Sequence, residues 1–360
     1  MRSTEARLRA GVYSAVFIAL LFAPLYLSGF SLNLLGQFLA LAILAIGLDL
    51  IWGYTGILSL GQGVFFGLGG YAMAMYLKMA SLAPGELPDF MTWSGIQTLP
   101  AIWMPFDNFY ATLALIVLVP GVVAGVLGAL VFRSRIKGVY FSILTQALAV
   151  IAATLFVDQQ SYTGGSSGLT SFKELLGFSL LDAKTQVGLY EASLILLALA
   201  FVLVSWLCNS SVGKVLKAIR DGENRTRFCG YDPAAFKTLV FSIAAVLAGV
   251  AGALYVPQNG IIAPAMLGVV PSIEMVIWVA VGGRGTIIGA IIGALFVNYA
   301  KYYLSNTYPN AWLYFLGSLF VLVVLIFPKG VVGLADGLGF YLNSKKTKKL
   351  RAHEHGTESA

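Results

Sequence analysis

Hydrophobic residues in this 360-residue chain form long unbroken runs, without the alternation that is typical of a half-buried strand. A helix that crosses a bilayer needs about 20 mostly apolar residues. Lipid accepts only helices or closed barrels, because backbone groups must be satisfied internally. The runs therefore predict an all-α, polytopic inner-membrane bundle. Candidate spans lie at about 11–30, 33–53, 63–79, 109–132, 138–157, 190–208, 237–256, 269–283, 285–304 and 311–327.

Two of these runs are irregular. Residues 269–283 are short for a span, and the segment from Gly61 to Gly70 interrupts another run. One or both could be broken or re-entrant helices, so we expect about 8–10 transmembrane helices. We divide the chain into a transmembrane permease domain, 1–342, and a polar, basic tail, 343–360, which we expect to be disordered and cytoplasmic.

Glycine is concentrated in two places, at 53–70 and at 282–293. Small residues at four-residue spacing let helix backbones approach closely, and this packing role accounts for most of them. The two clusters also occupy corresponding places in the two halves of the chain. That arrangement is typical of a two-half repeat whose interrupted helices line a transport pathway.

Composition and charge agree with a membrane protein. Hydrophobic residues make up 58% of the chain and charged residues 11%, whereas soluble domains carry about 25% charged residues. A cytoplasmic N-terminus places 19 of the 23 Lys and Arg residues on the cytoplasmic side, as the positive-inside rule requires. The net charge of +7 is thus a topological signal and gives no reason to expect nucleic acid binding. We expect both termini in the cytoplasm.

Enzymatic chemistry has little support, because the chain lacks a phosphate-binding loop, a zinc-protease motif and a nucleophile elbow. We expect no enzyme activity, no metal and no cofactor bound by this chain. Two acids, Asp49 and Glu274, fall inside predicted spans, where burying a charge costs about 2.5–3.5 kcal/mol. They either pair structurally or line a hydrophilic path. The candidate pathway residues are Asp49, Gln62, Thr145, Gln146 and Glu274.

A charged stretch, "GKVLKAIRDGENRTRFCGYDPAAFK" at 213–237, lies in a predicted cytoplasmic loop, 209–236. We predict that it forms a short helix, which Asp221 caps and Gly230 ends, and that Glu223 and Arg227 pair across one turn. Such a helix suits docking to a soluble partner. The alternative is a basic loop that only contacts anionic membrane lipid. Outer loops at 80–108 and 158–189 are long enough to offer further docking surfaces.

The same stretch resembles the cytoplasmic coupling loop of permeases from branched-chain-amino-acid-type ABC importers. The segments "LDLIWGYTGILSLGQGVFFGLGGY" and "EMVIWVAVGGRGTIIGAIIGA" are similar to other signature segments of that family, and together the resemblance covers about 35–330. Three stretches resemble its urea-transporting branch: "ELPDFM" at 86–91, "YFSILTQAL" at 140–148 and "GGSSGLTSFKELLGF" at 164–178. The last has Ser166 and Ser167 where the branch has two asparagines.

This resemblance implies an inner-membrane permease that works with a second, homologous permease subunit, two cytoplasmic ATPases that use the ATP, and an extracytoplasmic solute-binding protein. The family's coupling role carries over onto Lys217, Ala218, Ile219, Arg220, Asp221, Gly222, Glu223, Asn224 and Gly230. Urea is the expected substrate and a branched-chain amino acid the alternative. A hypothesis from another class is an ATP-independent channel for urea or ammonia.

Overall fold

The computed structural model describes residues 17, 19–27, 29–82, 86–136, 138–309, 311–326 and 330. The α-helices of this described part are α1 (Ala23–Tyr26), α2 (Phe30–Asp49), α3 (Gln62–Ala80), α4 (Asp89–Trp93), α5 (Phe109–Arg133), α6 (Gly138–Asp158), α7 (Gln160–Thr163), α8 (Ala183–Asn209), α9 (Ser211–Phe228), α10 (Pro233–Asn259), α11 (Val269–Gly282), α12 (Ile287–Thr307) and α13 (Trp312–Ile326). A π-helical turn, Leu50–Thr55, continues α2, and 3-10 turns lie at Met104–Asp107, Gly165–Ser167 and Pro264–Leu267. The strands are β1 (Leu169–Thr170), β2 (Glu174–Leu175), β3 (Phe178–Ser179) and β4 (Ile261–Ile262).

The predicted all-α polytopic bundle is confirmed. Six helices of the described part, counting α2 with its π turn, are long and apolar enough to span a membrane. The expected range of about 8–10 spans also counts the N-terminal run and the shorter helices α3, α11 and α13. Of the run at 11–30, the structure describes residues 17, 19–27, 29 and 30, and the tail 343–360 lies entirely outside the described residues.

Helix α10 lies at the centre of the bundle and packs against α2, α3 and α5. Glycines make these contacts possible. A Cβ atom at Gly69 of α3 would collide with the carbonyl of Gly249 of α10, and one at Gly252 would collide with the carbonyl of Phe66. The same holds late in the chain, where Gly282 and Gly289 meet backbone to backbone. Close packing therefore explains most of the two glycine clusters.

Two membrane helices start at breaks in the bundle. The first break is the irregular segment 56–61, so the interruption precedes α3, and the expected break from Gly61 to Gly70 is corrected: α3 is helical from Gln62. The second break, 260–268, precedes α11, whose 14 residues extend about 21 Å, less than the hydrocarbon thickness of about 30 Å. The backbone N–H of Gly63 donates to Ser272 Oγ at 3.2 Å, so the two helix starts lie side by side.

The two long loops are structured and fastened to the bundle. Lys78 is near the end of α3, and its Nζ lies 2.9 Å from Oδ1 of Asp89, which is in the loop after α3. Partial burial alone would raise the pKa of Asp89, but the hydrogen bond and charge of Lys78 outweigh it and hold the pKa below its usual value. In the loop after α6, β1 pairs antiparallel with β4, with Leu169 opposite Ile262. This pairing ties the loop to the break before α11.

Candidate functional site

Helix α9 contains eight of the nine predicted coupling residues, and Gly230 follows its end. The expectation that Asp221 caps a short helix is wrong, because Ser210 is the N-cap and accepts a hydrogen bond from the backbone N–H of Val212 at 3.2 Å. The helix extends this far back because Leu216 and Ile219, three residues apart, bury one face of it. Gly222 leaves helical geometry at φ −176° and ψ 79°, so α9 is kinked directly after Asp221.

Arginine side chains fasten α9 and a neighbouring loop to the π turn that continues α2. Arg220 Nη1 donates to the carbonyl of Gly53 at 2.9 Å, and Arg284 Nε donates to the carbonyl of Trp52 at 3.1 Å. Beside them, the backbone N–H of Gly285 donates to Asp49 Oδ1 at 2.6 Å. Hydrogen bonding is rearranged in a π turn relative to an α-helix, and such turns are frequent at functional sites. Here two separate segments, α9 and the loop at 283–286, meet on one turn.

A second set of contacts joins α9 to the start of α10. Glu223 Oε2 accepts from Lys237 Nζ at 2.6 Å, and Glu223 Oε1 lies 3.5 Å from Arg227 Nη2, which is the predicted i,i+4 pair. Lys237 is buried, and its ammonium lies 5.8 Å from the centre of the Phe132 ring. Asp232 caps α10 by accepting from the N–H of Ala234 at 3.0 Å. The kinked half of α9 is thereby held against the bundle.

The nine predicted coupling residues divide into two groups. Ile219 is buried, and Lys217 lies over the Tyr54 ring at 5.2 Å. Arg220 donates to the carbonyl of Gly53, and Glu223 pairs with Lys237. The members left exposed or half-exposed are Ala218, Asp221, Gly222, Asn224 and Gly230.

Sequence reasoning missed Phe228, which is 92% exposed at the end of α9. An aromatic residue at the end of a charged stretch is the signal that could have identified it. Beside α9 lies a groove of about 530 Å³, lined in part by Ala218, Asp221, Gly222 and Tyr231.

The predicted pathway residues do not gather in one place. Asp49 is fully buried at the π turn, and Thr145 Oγ1 accepts from the N–H of Leu60, so both support irregular backbone. Gln146 is half-exposed on α6. Gln62 is buried at the start of α3, and neither atom of its amide has a partner among the described residues. Glu274 lines a cavity.

That cavity, named here the outer cavity, has a volume of about 370 Å³ and lies between α2, α3, α10, α11 and α12. Its wall is largely apolar, with contributions from Phe38, Phe66 and Met275. One ion pair lines it: Lys301 Nζ of α12 lies 2.6 Å from Glu274 Oε2 of α11. Sequence reasoning did not identify Lys301 or the neighbouring Trp278 as part of a site.

These features define a multi-pass helical membrane permease, with a charged helix at one end and, toward the other, a largely apolar cavity that one ion pair lines. The profile of the family described as branched-chain amino acid transport system / permease component matches residues 30–326. This chain belongs to that family.

Several curated relatives are similar over most of this chain. The high-affinity branched-chain amino acid transport system permease protein LivM of Salmonella typhimurium is 24% identical over 331 residues, covering 86% of this chain and 71% of the relative. The protein of the same name from Escherichia coli K12 is 24% identical, with 81% and 67% covered. A probable LivM from Methanocaldococcus jannaschii is 23% identical, with 81% and 89% covered. No solved structure matches the chain significantly.

Proposed function

We propose that this chain is the permease subunit of an ATP-driven importer that moves a small polar solute into the cytoplasm. The observation that carries the proposal is the continuity between α9 and the outer cavity. Arg220 of α9 donates a hydrogen bond to the π turn at the end of α2. Near the start of α2, Leu34 and Gln37 line the cavity. A displacement of α9 is therefore passed directly to a cavity wall.

The proposed energy source is a pair of cytoplasmic ATPase subunits, because this chain has no nucleotide-binding motif of its own. The outer side of α9, with Phe228, Ala218 and Asn224, is the surface that we assign to the ATPase. A second homologous permease and an extracytoplasmic binding protein complete the assembly. The basic side chains of the 209–236 loop face the cytoplasm, where anionic lipid also attracts them.

Urea is the substrate that we propose, on the resemblance of three stretches to the urea-transporting branch. Each stretch contacts the rest of the bundle. In 86–91, Asp89 pairs with Lys78, and in 140–148, Thr145 accepts from the N–H of Leu60 in the break at 56–61. In 164–178, Leu169 of β1 lies opposite Ile262 of β4.

A branched-chain amino acid is the second candidate, and two observations favour it. The named relatives are branched-chain amino acid permeases. The outer cavity also combines apolar walls with a carboxylate and an ammonium, Glu274 and Lys301, which could pair with the charges of a zwitterion.

Docking is tested with Phe228→Ser in the assembled transporter. Truncating a central aromatic anchor of an interface costs about 2 kcal/mol or more, and each 1.4 kcal/mol is about tenfold in affinity. We expect copurification of the ATPase and ATP-dependent uptake to fall at least about tenfold. Leu181→Ser is the control, since Leu181 is 88% exposed in the loop on the other side. An ATPase that copurifies with Phe228→Ser at the wild-type level contradicts the docking assignment.

A further inference from the structure

We propose that the outer cavity is a solute-binding station, in which Glu274 and Trp278 bind the solute and Lys301 is a counterion that the solute displaces. The inference rests on the proposed transport function and names the groups that would recognise the solute. It starts from the position of the carboxylate. Glu274 is 7% exposed, and its carboxylate accepts a hydrogen bond from Lys301 Nζ at 2.6 Å.

The two members of this ion pair differ in how firmly they are held. Glu274 lies in the short helix α11, and its side chain is 9% exposed, whereas the side chain of Lys301 is 39% exposed. The ammonium of Lys301 also lies 5.3 Å from the centre of the Trp312 ring, a cation–π contact that it can keep when the pair is broken. A lysine on a flexible stem can withdraw, while a buried carboxylate needs a donor in its place.

A second group in the cavity wall lacks a partner. Trp278 is 3% exposed, lines the outer cavity, and its indole N–H makes no hydrogen bond among the described residues. It follows Glu274 by four residues in α11, so the two side chains lie on the same helix face. An unsatisfied buried donor is costly. A solute that brings an acceptor to Trp278 and a donor to Glu274 would satisfy both groups at once.

This pair of requirements defines a solute class. The solute needs N–H donors for the carboxylate and an oxygen acceptor for the indole, and it should not be an anion, because it takes the place of the Lys301 ammonium beside a carboxylate. Urea and a zwitterionic amino acid both meet these conditions, whereas a simple anion does not. A volume of about 370 Å³ lies at the small end of the range of about 300–1,000 Å³ for ligand sites.

Cysteine protection in the assembled transporter tests the station directly. Ser305→Cys places a thiol in the cavity wall, and Cys229→Ser removes the exposed native thiol, while Cys208 is buried. Labelling of Cys at 305 by a small polar thiol reagent is measured against increasing urea or leucine. We expect one of the two solutes to slow labelling. The solute that protects identifies the substrate class, and both results support the station.

Trp278→Phe removes the indole N–H and keeps a ring. We expect it, like Glu274→Gln, to raise the half-protecting solute concentration at least about fivefold, which corresponds to about 1 kcal/mol. Trp103→Phe is the matched control, because the indole N–H of Trp103 is also buried and makes no hydrogen bond among the described residues, but Trp103 lines a different cavity. Equal protection in all variants, or no protection by either solute, overturns the station. ATP-dependent uptake by the same complex would still support the proposed importer.

Discussion

Substituting Gly53 by alanine tests the junction that links α9 to the bundle. Gly53 lies in the π turn, and a Cβ atom there would be 2.5 Å from Asp49 Oδ1, 2.6 Å from Gly285 N and 2.7 Å from Gly285 Cα. Two of these three atoms are backbone and cannot rotate away. The variant must therefore separate the loop at 283–286 from the π turn, and with it the hydrogen bond between Gly285 and Asp49.

The expected destabilisation follows from three contributions. Overpacking costs about 1–3 kcal/mol, and loss of a hydrogen bond to a carboxylate costs about 1.5–3 kcal/mol. Replacing glycine by alanine in a helical segment returns about 0.5–1 kcal/mol. The net loss is about 1.5–5.5 kcal/mol, and it falls on the π turn whose Gly53 carbonyl accepts from Arg220 of α9.

The assay is thermal unfolding of the purified transporter in detergent, followed by tryptophan fluorescence, together with ATP-dependent uptake. Gly188→Ala in α8 is the matched control, because a Cβ at Gly188 has no atom within 4 Å. We expect the Gly53→Ala midpoint and uptake to fall, while Gly188→Ala keeps both or gains slightly in stability. A Gly53→Ala transporter that is as stable and active as the control would refute the reasoning.

Two further predictions concern the outer loops. The lowered pKa of Asp89 means that its pair with Lys78 stabilises the protein above about pH 4, the ordinary aspartate pKa, and that this contribution is lost as the pH falls through the lowered value. Asp89→Asn should therefore cost about 1 kcal/mol at most at pH 7, and unfolding midpoints of wild type and variant should converge in acid. Asn108 caps α5 by accepting from the N–H groups of Tyr110 and Ala111. Asn108→Ala should lose about 1 kcal/mol while Asn108→Asp retains most of it, and equal midpoints for these two variants would argue against the cap.

The membrane helices could be predicted closely because lipid imposes a simple requirement. A long apolar run must be a helix, so the prediction of 109–132 differs from α5 by only one residue. The start of α9 was harder, since both Ser210 and Asp221 are good N-caps. The charge cluster drew attention to Asp221, but burial of Leu216 decides in favour of Ser210.

The candidate site was only partly predictable. Glu274 could be identified because a carboxylate is costly inside a membrane. Its partner Lys301 follows 27 residues later, and only the packing of α11 against α12 brings the two together. Asp49 carried the same sequence signal, yet it binds the backbone of Gly285. A local sequence pattern cannot distinguish these two outcomes, because the partner of each acid comes from a distant segment.

Uptake of radiolabelled urea and, separately, leucine tests the central claim most directly, in cells that carry this chain with its native partner subunits, before and after ATP depletion. The account predicts urea uptake that requires this chain and stops when ATP is depleted. Leucine uptake in its place would keep the importer and contradict the proposed substrate. Urea flux that survives both ATP depletion and loss of the partner subunits would contradict the importer itself and indicate a channel.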